Sequence, residues 1–361
     1  MMSAASQDWP SRMLLAMLRE DEGSFRQLMG AGEDWPALAA LADRHGLGPY
    51  LGSLCLSKAS ATMPEDLRAW MEERRRKTIY DNMLLMAQAR PLLGLMRERG
   101  IVPILLKGCA LMGRVYRHPG ARSLTDSDLL VRPEQADEAY RLIEDGGLRS
   151  EPGSQRAPRR AAFVMNGPDQ AGVDIHWDLS QRYRFQADVE GVWERSIEFD
   201  FEGISVRRLA PTDEFLYLSL HHASHYFGVS LKWLVDLREL LRRDPPEPDE
   251  LAARAEAWGG VSGLHFALRY LRRVYPSLEF PGEMELAVAS PLRDWLARPF
   301  LSRDPLLLVT PRRRGAARLA MGLLFVDSPL DMARLGWVTL VARREADCRP
   351  QPPPPMVVRR L

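Results

Sequence analysis

Asp126 and Asp128 stand one residue apart in DSDLLV, a short run that continues in branched aliphatic residues. A run of that kind after the turn-rich HPGARSLTD predicts a strand, and alternation along a strand sends both carboxylates to one face. Two carboxylates held so close repel strongly unless a cation sits between them. Their hard oxygens suit magnesium, which takes carboxylates, waters and substrate phosphates. The chain must therefore fold so that one face of this strand meets a place where a cation can come.

The segments around it predict a small α/β core. IVPILL is a buried strand bounded by Gly100 and Lys107-Gly108, and GCALMGRVY reads as a helix opening on glycine. PEQADEAYRLIEDGG is an amphipathic helix stopped by two glycines, AAFVMN and GVDIHWDL are strands joined by GPDQ, and FEGISVRRL is a further strand. Asp174 lies in GVDIHW. If its strand neighbours DSDLLV, it completes a three-aspartate cluster able to hold two metal ions.

Helical patterns flank this core. A long helix is expected from about Glu65 to Arg99, with Pro91 kinking or splitting it. From Pro211 the chain is helical again, in TDEFLYLSLHHASHYF, started by a Thr212-Asp213-Glu214 cap, and then in SLKWLVDLRELLRR. The reading is an α+β chain with an N-terminal helical region over 1–94, a core over 95–210, a C-terminal helical domain over 211–346 and a mobile, Pro-rich tail over 347–361.

Composition narrows the function classes. In 361 residues, a hydrophobic fraction of 46% with 27% charged residues excludes global disorder. A net charge of +1 leaves no chain-wide basic field for duplex DNA. Cys55, Cys109 and Cys348 are far apart and form no CxxC pair, which argues against a disulfide framework or thiolate zinc site and fits the cytoplasm. The apolar stretches LAMGLLFV and LGWVTLVA are about half the roughly 20 residues of a membrane helix.

A phosphate-handling element precedes the aspartates. Of 49 basic residues only Lys58, Lys77, Lys107 and Lys232 are lysine. Lys107 ends the strand feeding Gly108-Cys109, where a glycine permits close backbone approach and the N–H groups of a helix start can receive phosphate oxygens. Arg122, four residues before Asp126, can pair with the same polyphosphate. The order strand, Lys-Gly, helix, loop, Arg-x-x-x-Asp-x-Asp, strand, helix, strand, Asp is restrictive where each part alone is weak.

ILLKGCALMGRVYRHPGARSLTDSDLLV resembles the catalytic region of the nucleotidyltransferase superfamily with the DNA polymerase β-like fold. More closely it resembles a bacterial family of uncharacterised nucleotidyltransferases with LKG…R…DxDLLV patterns. The likeness continues through DIHW and HHASH…LKWLVDL, over about residues 80–240. It implies a small mixed sheet with helices, and a magnesium-dependent enzyme (two ions, with manganese as a substitute) bound by Asp126, Asp128 and Asp174. It also implies a nucleoside triphosphate such as ATP held by Lys107, Gly108, Cys109 and Arg122, and an acceptor hydroxyl on RNA, a protein or a small molecule. His176, Lys232 and Asp236 stand around that set as supporting residues. Cys109 departs from the usual serine, so triphosphate binding there rests mostly on backbone N–H groups. Ser127 replaces the usual aliphatic residue between the aspartates. The alternative is a catalytically silent protein that keeps the fold as a nucleotide-binding or scaffold module.

The remaining signals carry bland readings. His221 and His225 share a helical face with zinc-ligand spacing, but His222 occupies the place of a metalloprotease's glutamate, and a packed histidine cluster is the favoured reading. A local ion pair between Lys232 and Asp236, four apart, accounts for both. The Arg-rich runs at 74–76 and 312–314 read as solvated faces, with contact to RNA or another anionic acceptor as the alternative, and the aromatic residues as core.

Overall fold

The computed structural model describes residues 8–29, 34–58, 63–150, 160–165, 172–180, 184–225, 230–281, 291–301, 306, 320 and 322–337. The tail at 347–361, the GPDQ turn and the run at 312–314 lie outside them. The described residues form a mixed seven-stranded sheet with helices, an α+β fold. Among them no helix is long and apolar enough to cross a membrane.

Four short helices, α1 (Trp9–Arg19), α2 (Glu22–Leu28), α3 (Trp35–Arg44) and α4 (Gly48–Lys58), precede the long α5 (Glu65–Glu98). Asp8, Asp21 and Asp34 cap the first three by accepting backbone N–H bonds from Ser11, Ser24 and Ala37. In α5 the buried positions Leu67, Met71, Thr78, Asn82, Leu85, Ala89, Leu93 and Met96 recur at helical spacing and define one inward stripe. The helix is not split at Pro91 but runs through it.

The sheet order is β3 (Leu148–Ser150), β4 (Arg160–Met165), β5 (Gly172–His176), β2 (Asp126–Leu130), β1 (Ile104–Leu106), β7 (Ile204–Arg208), β6 (Ile197–Phe201). β2 lies antiparallel to β1 and parallel to β5, and β1 lies parallel to β7. Two expectations change here. GCALMGRVY yields only a five-residue helix, α6 (Lys107–Leu111), and the strand expected in FEGISVRRL is one arm of a hairpin whose other arm is β6. β6 is exposed at most positions, so it lacks the apolar signal that marks a buried strand.

α7 (Ala136–Asp145) packs on α5 and on β3 and β5. After α8 (Val189–Arg195), the C-terminal helices α9 (Pro211–Ser224), α10 (Lys232–Arg243), α11 (Pro248–Ala257) and α12 (Val261–Val274) group around α9, with α13 (Pro291–Leu301) against α12. The expected cap at Thr212-Asp213-Glu214 is replaced. α9 begins at Pro211, Thr212 Oγ1 accepts the Glu247 N–H, and Asp213 pairs with Arg195 and Arg254.

The two helical regions, far apart in sequence, meet. Tyr50 of α4 donates to Glu239 of α10 at 2.8 Å, and Arg238 reaches both the Tyr50 hydroxyl and Glu20 at 2.6 Å. One cluster of buried apolar side chains runs from Met13 to Phe325. α10 is therefore held on one side by the N-terminal helices, which fixes its other side against the loop leading into β2.

Candidate active site

Register places the aspartates. Asp128 on β2 is the direct partner of Asp174 on β5, and Asp126 is the partner of Gly172. In a parallel pair such partners project from the same face, so Asp126, Asp128, Asp174 and His176 share one side of the sheet. Asp128, Asp174 and His176 are buried, whereas Asp126, at the strand's start, is half-exposed.

The turn after β1 delivers Lys107 to them. Leu106 is the partner of Asp128, so the next residue leaves the sheet beside that carboxylate. Lys107 does so with φ of 53°, the left-handed region that a residue with a side chain seldom takes and that costs about 1–3 kcal/mol. Its Nζ donates to Asp128 Oδ1 at 2.6 Å, an interaction that holds the strained residue in place. His176 Nε2 lies 2.8 Å from the same oxygen.

Electrostatics separates the carboxylates. Burial alone would raise the Asp128 carboxyl, but Lys107 and His176 outweigh it and hold Asp128 well below the usual carboxylate range. Burial also opposes the Lys107 ammonium, yet Tyr217 and Asp128 outweigh it and raise its pKa. Asp126 is shifted up, by burial first and by the Asp128 charge second. The face thus carries a charge repulsion that a cation would relieve.

The donor set fits a metal ion. One ligand atom each from Asp128, Asp174 and His176 lies within 4.8 Å of the others, and this is the three-residue group of its kind among the described residues. Carboxylate oxygens suit magnesium and manganese, whereas imidazole suits softer metals. His176, already bonded to Asp128, is the partner that orients a carboxylate ligand. Asp126 stands outside that compact group and couples to it through charge. His221, His222 and His225 join no such group among the described residues.

The other sequence candidates are placed differently. Arg122 is buried, and its Nε and Nη2 bond Asp236 at 3.2 and 2.9 Å. Asp236 also accepts from Tyr116 at 2.6 Å. The local ion pair expected between Lys232 and Asp236 is thus replaced by a pair linking α10 to the loop before β2. Lys232 Nζ instead reaches the Ser123 carbonyl at 3.5 Å. Cys109 turns to the opposite face of the sheet, where Sγ lies 3.6 Å from Ser127 Oγ, among Leu92, Leu105 and Leu129. Burial pushes its thiol up to about 12.

Gly108 is needed for a reason the sequence does not reveal. A Cβ built there would lie 2.5 Å from Arg122 Nη1 and 2.7 Å from Leu124 Cδ2. What approaches its backbone closely is the Arg122 guanidinium. Gly108→Ala is expected to destabilise the fold by about 1–3 kcal/mol through overpacking, read by urea denaturation.

Asn82 had no signal in the sequence beyond being a polar residue on the apolar stripe of α5. It is buried, donates to the carbonyls of Pro119 and Arg122 at 2.7 and 2.8 Å, and accepts from the Leu124 N–H at 2.9 Å. One side chain thereby fixes the loop that presents Asp126 and Asp128.

The mixed sheet thus sets aspartates of two neighbouring strands beside a lysine-glycine turn. The chain belongs to a family of uncharacterised nucleotidyltransferases, whose model matches residues 31–276. Among solved structures, it is similar to the crystal structure of an antigenic nucleotidyltransferase-like protein from Paracoccidioides brasiliensis. The identity is 17% and the TM-score 0.37, over 54% of this chain and 90% of that one. No curated protein matches the chain.

Proposed function

We propose that this protein moves a nucleoside monophosphate from a nucleoside triphosphate to an acceptor hydroxyl on RNA, a protein or a small molecule. The observation that carries the reading is the pairing of Asp128 with Asp174 at one rung of the sheet, with Asp126 on the same face. These three carboxylates would hold divalent metal, magnesium first and manganese as a substitute. When bound, the metal supplies positive charge to the phosphate oxygens and makes the acceptor oxygen easier to deprotonate.

The chain's own residues do the rest. The acceptor oxygen forms a bond to the α-phosphorus as the bond from that phosphorus to the bridging oxygen breaks, and pyrophosphate leaves. Asp174, or a carboxylate beside it, takes the acceptor's proton. Lys107 places an ammonium where it can offset charge on the departing oxygens. His176 keeps Asp128 oriented, and the Arg122–Asp236 pair holds the loop carrying Asp126 against α10.

Lys232 would supply a second cation, from the helix that packs on the loop before β2. It is half-buried on the loop side of α10, and its ammonium is pushed down to about 8, by burial first and by the Arg122 charge next. A lysine is charged below its pKa, so this charge is lost as pH rises through about 8. Triphosphate affinity is therefore expected to fall by roughly tenfold between about pH 7 and about pH 9.5 in the wild type. In Lys232→Arg, whose guanidinium stays charged, it should stay level. Equilibrium dialysis with a labelled triphosphate checks this, and identical pH profiles for the two proteins would remove Lys232 from the site.

The transfer itself is tested by incubating the protein with triphosphates labelled at the α-phosphate, magnesium and a cell extract. Label should appear on a macromolecule or metabolite. The scaffold reading draws on one observation, the withdrawal of Cys109 from the aspartate face. It predicts nucleotide binding with no transfer.

A further inference from the structure

The proposed function leaves without a role the ring cluster where α9 meets α10. Trp233 follows Lys232 directly on α10 and is half-buried. Its ring centroid lies 4.9 Å from His221, 5.7 Å from His222 and 5.2 Å from His225, with the last two edge-on at 85° and 72°. His221 and His225 are themselves 4.7 Å apart, and Tyr217 lies 5.9 Å from His221. His225 is exposed, so the cluster opens to solvent at that end.

The cluster is core at one end only, where the buried His222 lies 6.2 Å from the buried Tyr270. The sequence predicts these aromatic residues to be core, yet the neighbouring positions Leu234 and Val235 are buried while Trp233 keeps part of its surface. Three imidazoles around one indole fix the ring's orientation without covering it. Burial pushes the His221 imidazole well down, and the Lys107 charge adds to that shift. Lys232, next to Trp233 on α10, reaches the Ser123 carbonyl in the loop that leads to Asp126, which sets the ring cluster beside that loop. In the proposed function, Lys107 and Lys232 supply the charges for phosphates.

We infer that Trp233, with His225 at its open edge, is the stacking wall for the nucleobase of the triphosphate. The inference rests on the proposed function, because it needs the phosphates to lie between Lys107 and Lys232. A planar, uncharged heteroaromatic ring attached to those phosphates then reaches a fixed aromatic face. Stacking of this kind tolerates any base, since every base offers a π-face. The wall contributes affinity for nucleotides over inorganic polyphosphate and does not by itself choose among bases.

The test compares binding of a nucleoside triphosphate and of inorganic tripolyphosphate, both with magnesium, by calorimetry on the full chain. Trp233→Leu keeps an apolar side chain on α10 and should weaken triphosphate binding roughly tenfold or more, with tripolyphosphate binding unchanged. Trp233→Phe, which keeps a ring, should recover most of the loss. His225→Ala, at an exposed position, should give a smaller loss in the same direction, and it carries the test if Trp233→Leu does not fold. Equal losses for both ligands, or no loss for the nucleotide, would overturn the stacking wall while leaving the transferase reading intact. A wild-type protein that binds neither ligand would overturn the proposed function, and the wall with it.

Discussion

Asp128→Asn and Asp174→Asn are each expected to lower nucleotidyl transfer by on the order of 10²–10³-fold or more, with the fold retained. Each substitution replaces a carboxylate by an isosteric amide, so packing changes little while the charge that a cation needs is lost. Asp128 carries the larger expected effect, because Lys107 and His176 both converge on its Oδ1, at 2.6 and 2.8 Å. Removing its charge leaves the Lys107 ammonium buried beside an amide, so Asp128→Asn should also lower stability, whereas Asp174→Asn should do so less. Label transfer from an α-labelled triphosphate and circular dichroism on the same samples separate the two effects. Retention of transfer in Asp174→Asn would remove the three-carboxylate account.

The second large effect concerns stability. Arg122 and Asp236 form a buried pair, and although burial alone would lower the guanidinium's pKa, Asp236 outweighs it and raises it. Truncating either partner leaves an uncompensated buried charge, so Arg122→Ala and Asp236→Ala should each cost about 3–5 kcal/mol. Asp236→Ala also strands the Tyr116 hydroxyl, which donates to the same carboxylate. The double variant Arg122→Met with Asp236→Leu should recover much of that loss, since apolar side chains of similar volume often replace a buried ion pair without penalty. Urea denaturation of the three proteins checks this. Single-variant losses below about 1 kcal/mol would mean that the pair is not the lock between α10 and the loop.

The contrast between these two pairs explains what was legible in the sequence. Asp126, Asp128 and Asp174 could be read because a strand's period of two forces residues one apart onto one face, and because both strands carry buried aliphatic residues. Their adjacency rested on the order of elements, and the register of β2 with β5 supplies it. Arg122 could be noticed but not assigned. Its carboxylate is 114 positions away on α10, beyond any local pattern. Asn82 was silent for the same reason, since its three bonds are to the backbone of a loop 37 to 42 residues later. Lys107 was flagged by its rarity, but its left-handed backbone has no sequence signature at a lysine. The residues after it, Ala110, Leu111 and Met112, favour helix, yet Met112 is already extended, bridging Tyr116, and Gly113 follows it at φ of 75°. Trp233 was taken as core because a tryptophan on an amphipathic helix usually is, and only the packing shows that part of it stays open.

In the proposed function these placements divide the labour between elements. β2 and β5 supply the acidic face, the β1–α6 turn supplies the first cation, and α10 supplies the second cation together with the aromatic edge. The loop from Tyr116 to Thr125 ties the sheet to the helical region through Arg122 and Tyr116 on Asp236, and to α5 through Asn82.

The most direct measurement follows the label's position. With magnesium and an extract containing the acceptor, label at the α-phosphate should become attached to the acceptor, and label at the γ-phosphate should leave as pyrophosphate. Acceptor labelled from the γ-position, or unlabelled from either with nucleotide demonstrably bound, would contradict nucleotidyl transfer at Asp126, Asp128 and Asp174.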